Sequence, residues 1–313
     1  MTLKIYQGNK YSEILHLLKL KNKKIKAILD TDTYNEIDDQ FALVQMLFSK
    51  ERIDTLSINA APFSMNTKSD NPEKGMELSY EEIFRLLEKI NFKKNNFVFK
   101  GSKKYIGFDK KPVESPAANN IIENALDSSV DDPLYVIAIG AITNVASAIL
   151  KEPKIINKIV VVWLGGHALY WPNTIEFNLK QDVGGAQILF DSKVPLVMVP
   201  CKGVTSHLIS TVPEIEKYIE PQGEIGRFLA MRFKEYSEDH KSWYKEIWDM
   251  AAVGWALNES WVPTNIVPSP VLLDNMTWGF DDSRHPIKIV SELKRDLILK
   301  DFIEKLENHI KKK

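Results

Sequence analysis

The stretch Asp30 to Asp39, "DTDTYNEIDD", holds six acids or amides in ten positions. It follows the apolar run "IKAIL" (25–29) and precedes "DDQFALVQMLFS", whose apolar residues wrap a broad helical face. Carboxylates crowded at a strand end repel one another, so their pKa values rise or a cation joins them. A hard divalent cation with oxygen ligands is the economical partner. Helix capping is the plainer role, and it accounts for Asp38 or Asp39 at a helix N-terminus. It leaves Asp30 and Asp32 without a reason. Glu176 and Asn178 stand two apart, on one side if the segment is extended. Thr143 or Asn144 reads as a helix N-cap. Asp249, between Trp248 and Met250 in an apolar helical stretch, needs a partner because burial penalises a lone carboxylate. His167 follows "LGG" at a strand end, where it can face a site and act as an acid.

What must position these residues is a set of short runs rich in β-branched residues. They are 25–29, 53–60, 97–101, 133–140, 158–166 and 194–200. Their apolar character is nearly continuous, as in strands buried on both faces. Helical patterns lie between them. "SYEEIFRLLEKI" opens with Ser79 and Glu82 three apart, the spacing of a capping box. Alternation of this kind predicts a single α/β domain over 1–313, an open, mostly parallel Rossmann-like sheet with helices on both faces. A helical extension (1–24) precedes it, and 213–313 reads as mainly helical. Ligands of such sheets bind beyond the carboxyl ends of the strands, which is where Asp32, Asp38, Thr143 and His167 fall. No G-x-G-x-x-G or G-x-x-x-x-G-K-[ST] is present, which argues against dinucleotide or P-loop sites.

Composition narrows the class further. With 44% hydrophobic and 27% charged residues in 313, the chain has ample material for a core. A net charge of −1 offers no nucleic-acid footprint. Lysines 21–26 and 311–313 read as solvated faces. A lone cysteine, Cys201 in "VPLVMVPCKGVT", reads as a buried thiol in a reducing compartment. No apolar run is long enough for a membrane span, and the N-terminus lacks a signal peptide's apolar stretch. A cytoplasmic location is expected.

"ILDTDTYNEIDDQFAL" resembles the N-terminal signature of the nucleoside hydrolases, the inosine–uridine preferring N-ribohydrolases: an apolar strand, D-x-D, a short turn, a D-D pair and a helix. The turn "TYNEI" is two residues longer than the usual family loop. "AIGAITNVASAI", "IEFN", "QDVGGAQILFDSKVPLVMVP" and "IWDMAAVGWAL" resemble later family segments, in the family's order, over roughly 25–260. The resemblance implies an open α/β sheet, a Ca2+ cofactor, a nucleoside or other ribosyl substrate and a homodimer or homotetramer. It implies Ca2+ bound by Asp32, Asp39, Asp249 and the Thr143 carbonyl, ribose hydroxyls held by Asp38, Glu176 and Asn178, and Asp32 as general base. Asp30 matches the first aspartate and shapes the loop. These types suit a reaction with an oxocarbenium-like transition state, whose charge carboxylates and amides stabilise.

The chain departs from the family at the leaving-group positions. Phe63 stands in "AAPF" where the family has an asparagine, the mid-chain "H-G" is replaced within "KPVESPAANN", and the late "H-D" is Trp248-Asp249. The amide six residues before Glu176 is displaced, with Asn173 nearest. The purine-specific branch also carries tryptophan before the late aspartate, where a purine stacks between aromatics. Trp248 fits that role, with Tyr34, Phe63, Trp171 or Trp243 as a second ring, whereas Trp255 reads as core and His285 as surface. Two other readings stand beside this one. "ILDTDT" fits the D-x-D-x-[TV] of haloacid dehalogenase-like Mg2+ phosphatases, with Asp30 as nucleophile. A non-catalytic ribose- or nucleoside-binding relative is the other.

Overall fold

Each of the six apolar runs forms a strand: β1 (Ile25–Thr31), β2 (Ile53–Ala60), β3 (Val98–Lys100), β4 (Leu134–Ala138), β5 (Ile159–Leu164) and β6 (Leu196–Val199). The structure, a computed structural model, describes residues 10–311. The strands lie in the order β3-β2-β1-β4-β5-β6, all parallel. Strand Pro286–Val290 adds in parallel to β6, and Thr264–Pro268 closes the eight-stranded sheet as an antiparallel edge.

Side chains alternate between two cores along each central strand. Ala27 and Leu29 of β1 pack into one cluster and Ile28 into the other; Tyr135 and Ile137 of β4 oppose Leu134, Val136 and Ala138. This is the two-residue period of a strand covered on both faces, and it explains the unbroken apolar runs. Helices α1 (Tyr11–Leu18), α2 (Asp38–Phe48), α3 (Pro72–Lys89) and the late helices Met250–Leu257 and Arg295–Lys311 bury apolar residues in the first cluster. Helices α4 (Pro116–Leu126), α5 (Thr143–Lys151) and, after the short α6 (Phe177–Gln181), α7 (Val183–Asp191) do so in the second.

β1 lies between β2 and β4, and the chain leaves it toward β2 on one side and returns at β4 on the other. That reversal of strand order opens a crevice beyond the carboxyl ends of β1 and β4. The acidic loop follows β1 directly into it.

Three sequence expectations are corrected. The C-terminal third is not simply helical: Pro286–Val290 and Thr264–Pro268 belong to the main sheet. "PIKIV" carries Lys288, whose ammonium pairs with Glu259, so the apolar pattern of that strand is broken. The helix holding Ser79 and Glu82 begins seven residues earlier, at Pro72, with the Asn71 side chain accepting the Lys74 N–H at 2.9 Å. An Asn cap followed by Pro at the first helical position is the stronger start. Gly75 lets that helix approach the β2–α3 loop, since a Cβ there would meet the Phe63 carbonyl oxygen at 1.8 Å. His285 is half-buried rather than on the surface. The first nine residues of the expected extension and Lys312-Lys313 lie outside the described residues. Among the described residues no helix is long and apolar enough to cross a membrane.

Candidate active site

Four carboxylates meet in the crevice. Asp32 follows β1, Asp38 and Asp39 open α2, and Asp249 stands just before the helix Met250–Leu257. All four are buried. Oxygens of Asp38, Asp39 and Asp249 lie within 4.8 Å of one another. Both oxygens of Asp32 and Oδ1 of Asp38 are buried without a hydrogen-bond partner. Asp39 is steadied by the Thr31 hydroxyl, which donates to its Oδ1 at 2.5 Å. Gly140, after β4, allows close approach, because a Cβ there would lie 3.0 Å from Asp32 Oδ1.

Burial pushes every one of these carboxyls up, and their mutual repulsion adds to it. Asp32 and Asp249 are raised well above the ordinary range, by desolvation first and neighbouring carboxylates second. Asp39 is raised by burial and then by Asp38. Asp38 is raised to about 7, by burial and then by Glu36. Unpaired buried oxygens and like charges in contact favour the binding of a cation. An oxygen-only donor set fits a hard divalent ion and disfavours softer metals. The tightest trio includes Asp38, which the family resemblance assigns to the ribose, while Asp32 stands beside it.

Asp30 sits lower. Its Oδ2 accepts from Asn144 Nδ2 at 2.9 Å, its Oδ1 is unpartnered, and burial raises its pKa to about 7. It does not line the cavity, so it cannot serve as the nucleophile that the phosphatase reading requires. Thr143 opens α5 and donates its hydroxyl to Asp182 Oδ2 at 2.6 Å, also behind the cavity wall.

The cavity beyond the carboxylates encloses about 210 Å3. Asp32, Asp38, Asp39, Asp249, Glu176, Asn178, His167 and Trp248 all line it. Glu176 and Asn178 are not on an extended segment as expected. Glu176 is the N-cap of α6, with Oε1 accepting the Asn178 N–H at 2.9 Å and Oε2 the Gly166 and Leu179 N–H groups at 2.8 and 3.0 Å. Burial still raises its pKa. Asn178 Nδ2 donates to the carbonyls of Ile139 and Leu164, pinning the ends of β4 and β5 and leaving its Oδ1 as the free acceptor. His167 Nδ1 accepts the Lys202 N–H at 3.3 Å, so in the neutral ring the proton sits on Nε2. Burial, then Lys202, holds its pKa below the usual histidine value.

Trp248 reaches the cavity, and Trp255 is fully buried in the core as expected. Trp248 and Asp249 precede the helix rather than lying within it. None of the four suggested second rings lines the cavity: Phe63 is fully buried, Tyr34 lies under Lys68, Trp171 packs edge-on against His167, and Trp243 packs against Phe233. The second aromatic there is Phe177, overlooked between Glu176 and Asn178 although "EFN" marks its position. Asn173 is outside the lining as well, its Oδ1 accepting the Ile175 N–H at 3.0 Å. Cys201 is buried as expected, yet its thiol also lines the cavity beside Glu176. Asn35 and Glu36 of the long turn, which from sequence could either reach substrate or only widen the loop, lie on the cavity wall.

The architecture resembles solved nucleoside hydrolases. A purine-preferring ribonucleoside hydrolase from Gardnerella vaginalis superposes with a TM-score of 0.72 at 20% identity, over 92% of this chain and all of that one. An inosine-uridine preferring nucleoside hydrolase from Bacillus anthracis does so with a TM-score of 0.67 at 16% identity, over 93% of this chain and all of that one. In sequence, the chain is 24% identical over 188 residues to the inosine-uridine preferring nucleoside hydrolase of Leishmania major, and 26% identical over 187 residues to that of Crithidia fasciculata. Each match covers 56% of this chain and spans 59% of the relative's length. The family profile described as inosine-uridine preferring nucleoside hydrolase matches residues 27–300. With nearly the whole sheet and every loop of the crevice inside that match, the chain belongs to the inosine-uridine preferring nucleoside hydrolase family.

Proposed function

We propose that this protein hydrolyses the N-glycosidic bond of ribonucleosides in a Ca2+-dependent reaction, releasing ribose and a base. The observation that carries the reading is the buried trio Asp38, Asp39 and Asp249 with the unpartnered Asp32 beside it, on the wall of a cavity that also holds Glu176 and Asn178. The residues that would hold the ion are Asp32, Asp39 and Asp249, with the Thr143 carbonyl as the family's fourth ligand. A bound Ca2+ supplies an attachment point for the sugar diol and a water of lowered pKa.

The chain's own groups do the rest. Asp38 accepts hydrogen bonds from ribose hydroxyls, as do the Asn178 Oδ1 and the Glu176 carboxylate. Asp32, with both oxygens free, takes the proton of the attacking water. The water oxygen bonds to C1′ as the C1′–N bond breaks, and the bonding pair leaves with the base. Positive charge on the ribosyl group develops among buried carboxylates, whose preorganised field stabilises it more than water would. Trp248 and Phe177 offer aromatic faces to the base, which favours a purine. His167, protonated on Nε2, is the donor at the β5 end of the cavity. A homodimeric or homotetrameric assembly, as in the family, is part of the same reading and is checked by light scattering.

The test is ribose release from inosine, adenosine, guanosine, uridine and cytidine, with Ca2+ and after chelation. Chelator-sensitive release with a purine preference is expected. Sugar and Ca2+ binding without release from any nucleoside would favour the non-catalytic relative instead.

A further inference from the structure

The two-residue insertion in the acidic loop is tightly held. Lys68 Nζ donates to the carbonyls of Tyr34 and Asn35 at 3.1 and 2.7 Å. Asn66 Nδ2 donates to Asn35 Oδ1 at 2.8 Å, and the Asn35 N–H returns to the Asp32 carbonyl at 2.7 Å. Lys245 Nζ donates to Glu36 Oε2 at 2.6 Å. Lys245 is itself mostly buried, and it stands three positions before Trp248. The ion pair therefore ties Glu36 to the segment that brings Trp248 to the cavity. Among the described residues, nothing donates to Glu36 Oε1.

We propose that Glu36 is a specificity-determining residue: its free carboxylate oxygen, on the wall of the cavity that Trp248 also lines, accepts a hydrogen bond from an N–H of the leaving base. This rests on the ribohydrolase reading and names its substrate class, a purine ribonucleoside whose six-membered ring carries an N–H or an exocyclic amine. A carboxylate only accepts, so its partner is a donor. The residue at the family's asparagine position, Phe63, is fully buried and offers the base nothing. In the ribohydrolase reading Asp38, Glu176 and Asn178 hold the sugar and Asp32, Asp39 and Asp249 the ion, so Glu36 is the carboxylate on the cavity wall without an assigned partner there. The Glu36 side chain is 41% exposed, but the ion pair with Lys245 and the clamped backbone restrain it, which limits the ordering cost of binding.

The test compares kcat/KM on guanosine, inosine, purine riboside and p-nitrophenyl riboside for the wild-type chain, Glu36→Ala and Glu36→Gln. Unsubstituted purine has no N–H on its six-membered ring, so it isolates the contact. A site built to bond a substrate N–H strongly prefers the substrate that has it. The ratio of guanosine to purine riboside should fall about tenfold or more in Glu36→Ala, with Glu36→Gln intermediate because its carbonyl still accepts. Parallel losses on all four substrates, or an unchanged ratio in both variants, overturn the assignment while leaving the ribohydrolase reading intact. Should Glu36→Ala disturb the loop, the isosteric Glu36→Gln carries the test through the same ratio. No turnover of any nucleoside by the wild-type chain overturns the ribohydrolase reading itself, and this inference with it.

Discussion

Two buried aspartate environments lie at the carboxyl edge of the same sheet and could hardly differ more. Asp182, the N-cap of α7, accepts the N–H groups of Ile106, Gly107 and Gly185, each at 3.0 Å, together with the Thr143 hydroxyl. Asp32, the first residue after β1, accepts nothing with either oxygen and faces Asp38 and Asp39. Burial is nearly complete in both. A carboxylate surrounded by backbone donors is a structural knot, here joining the β3–α4 loop, α5 and α7. A carboxylate left unpaired against other carboxylates is unfavourable in the fold alone and is retained for what it binds.

The sharpest way to break this contrast is to remove an acid from the unsatisfied group. Asp39→Ala should abolish Ca2+ binding and cut ribose release by about a thousandfold. Calorimetric Ca2+ affinity equal to wild type would end the metal assignment. Next in size, Asp182→Ala should destabilise the fold by about 3 kcal/mol, because it strands several buried donors. The urea midpoint measures this, and a shift under ~1 kcal/mol would show that water replaces the carboxylate. Trp248→Ala should cost about tenfold more on inosine or guanosine than on p-nitrophenyl riboside, whose leaving group needs no stacked partner. Equal losses would argue against stacking on the base.

A further way to test the contrast uses pH. Asp30 and Asp38 are raised from 3.8 to about 7 in the folded chain. Between those values the folded state binds protons that the unfolded chain has released. Stability of the metal-free protein is therefore greatest below about pH 4 as far as these groups are concerned, and it declines as pH rises to about 7. Bound Ca2+ should offset the decline, since the ion favours the ionised forms. Melting curves with chelator at pH 5 and pH 7, compared with the same curves in Ca2+, should show the larger metal-induced rise at pH 7. Asp32→Asn should raise the melting temperature of the metal-free protein by the equivalent of about 1 kcal/mol, by removing a buried charge without a partner.

Much of this was legible in the residues. Six continuous apolar runs became six parallel strands because strands covered on both faces need apolar side chains at every position. The crowding of Asp30, Asp32, Asp38 and Asp39 announced a site, because no local role accounts for so many acids. The start of the helix capped by Asn71 is hidden in the sequence, since Ser79 and Glu82 mimic a local signal that burial put to other uses: Ser79 Oγ accepts the Tyr34 N–H, and Glu82 accepts from Gln40 and Arg85. The strand Pro286–Val290 was missed because Lys288 interrupts its pattern and only its neighbours in the sheet justify it.

By itself, then, the sequence determined the alternation of strands and helices, the acidic cluster and the family, all of them properties of local pattern. Which side chains share a cavity was decided only by the tertiary structure. Asp249 reaches Asp38 and Asp39 across more than two hundred residues, Phe177 rather than Phe63 lines the cavity, and Glu36 pairs with Lys245 from a distant segment. Such contacts depend on strand order and on the direction of each side chain at the sheet edge, and spacing along a chain encodes neither.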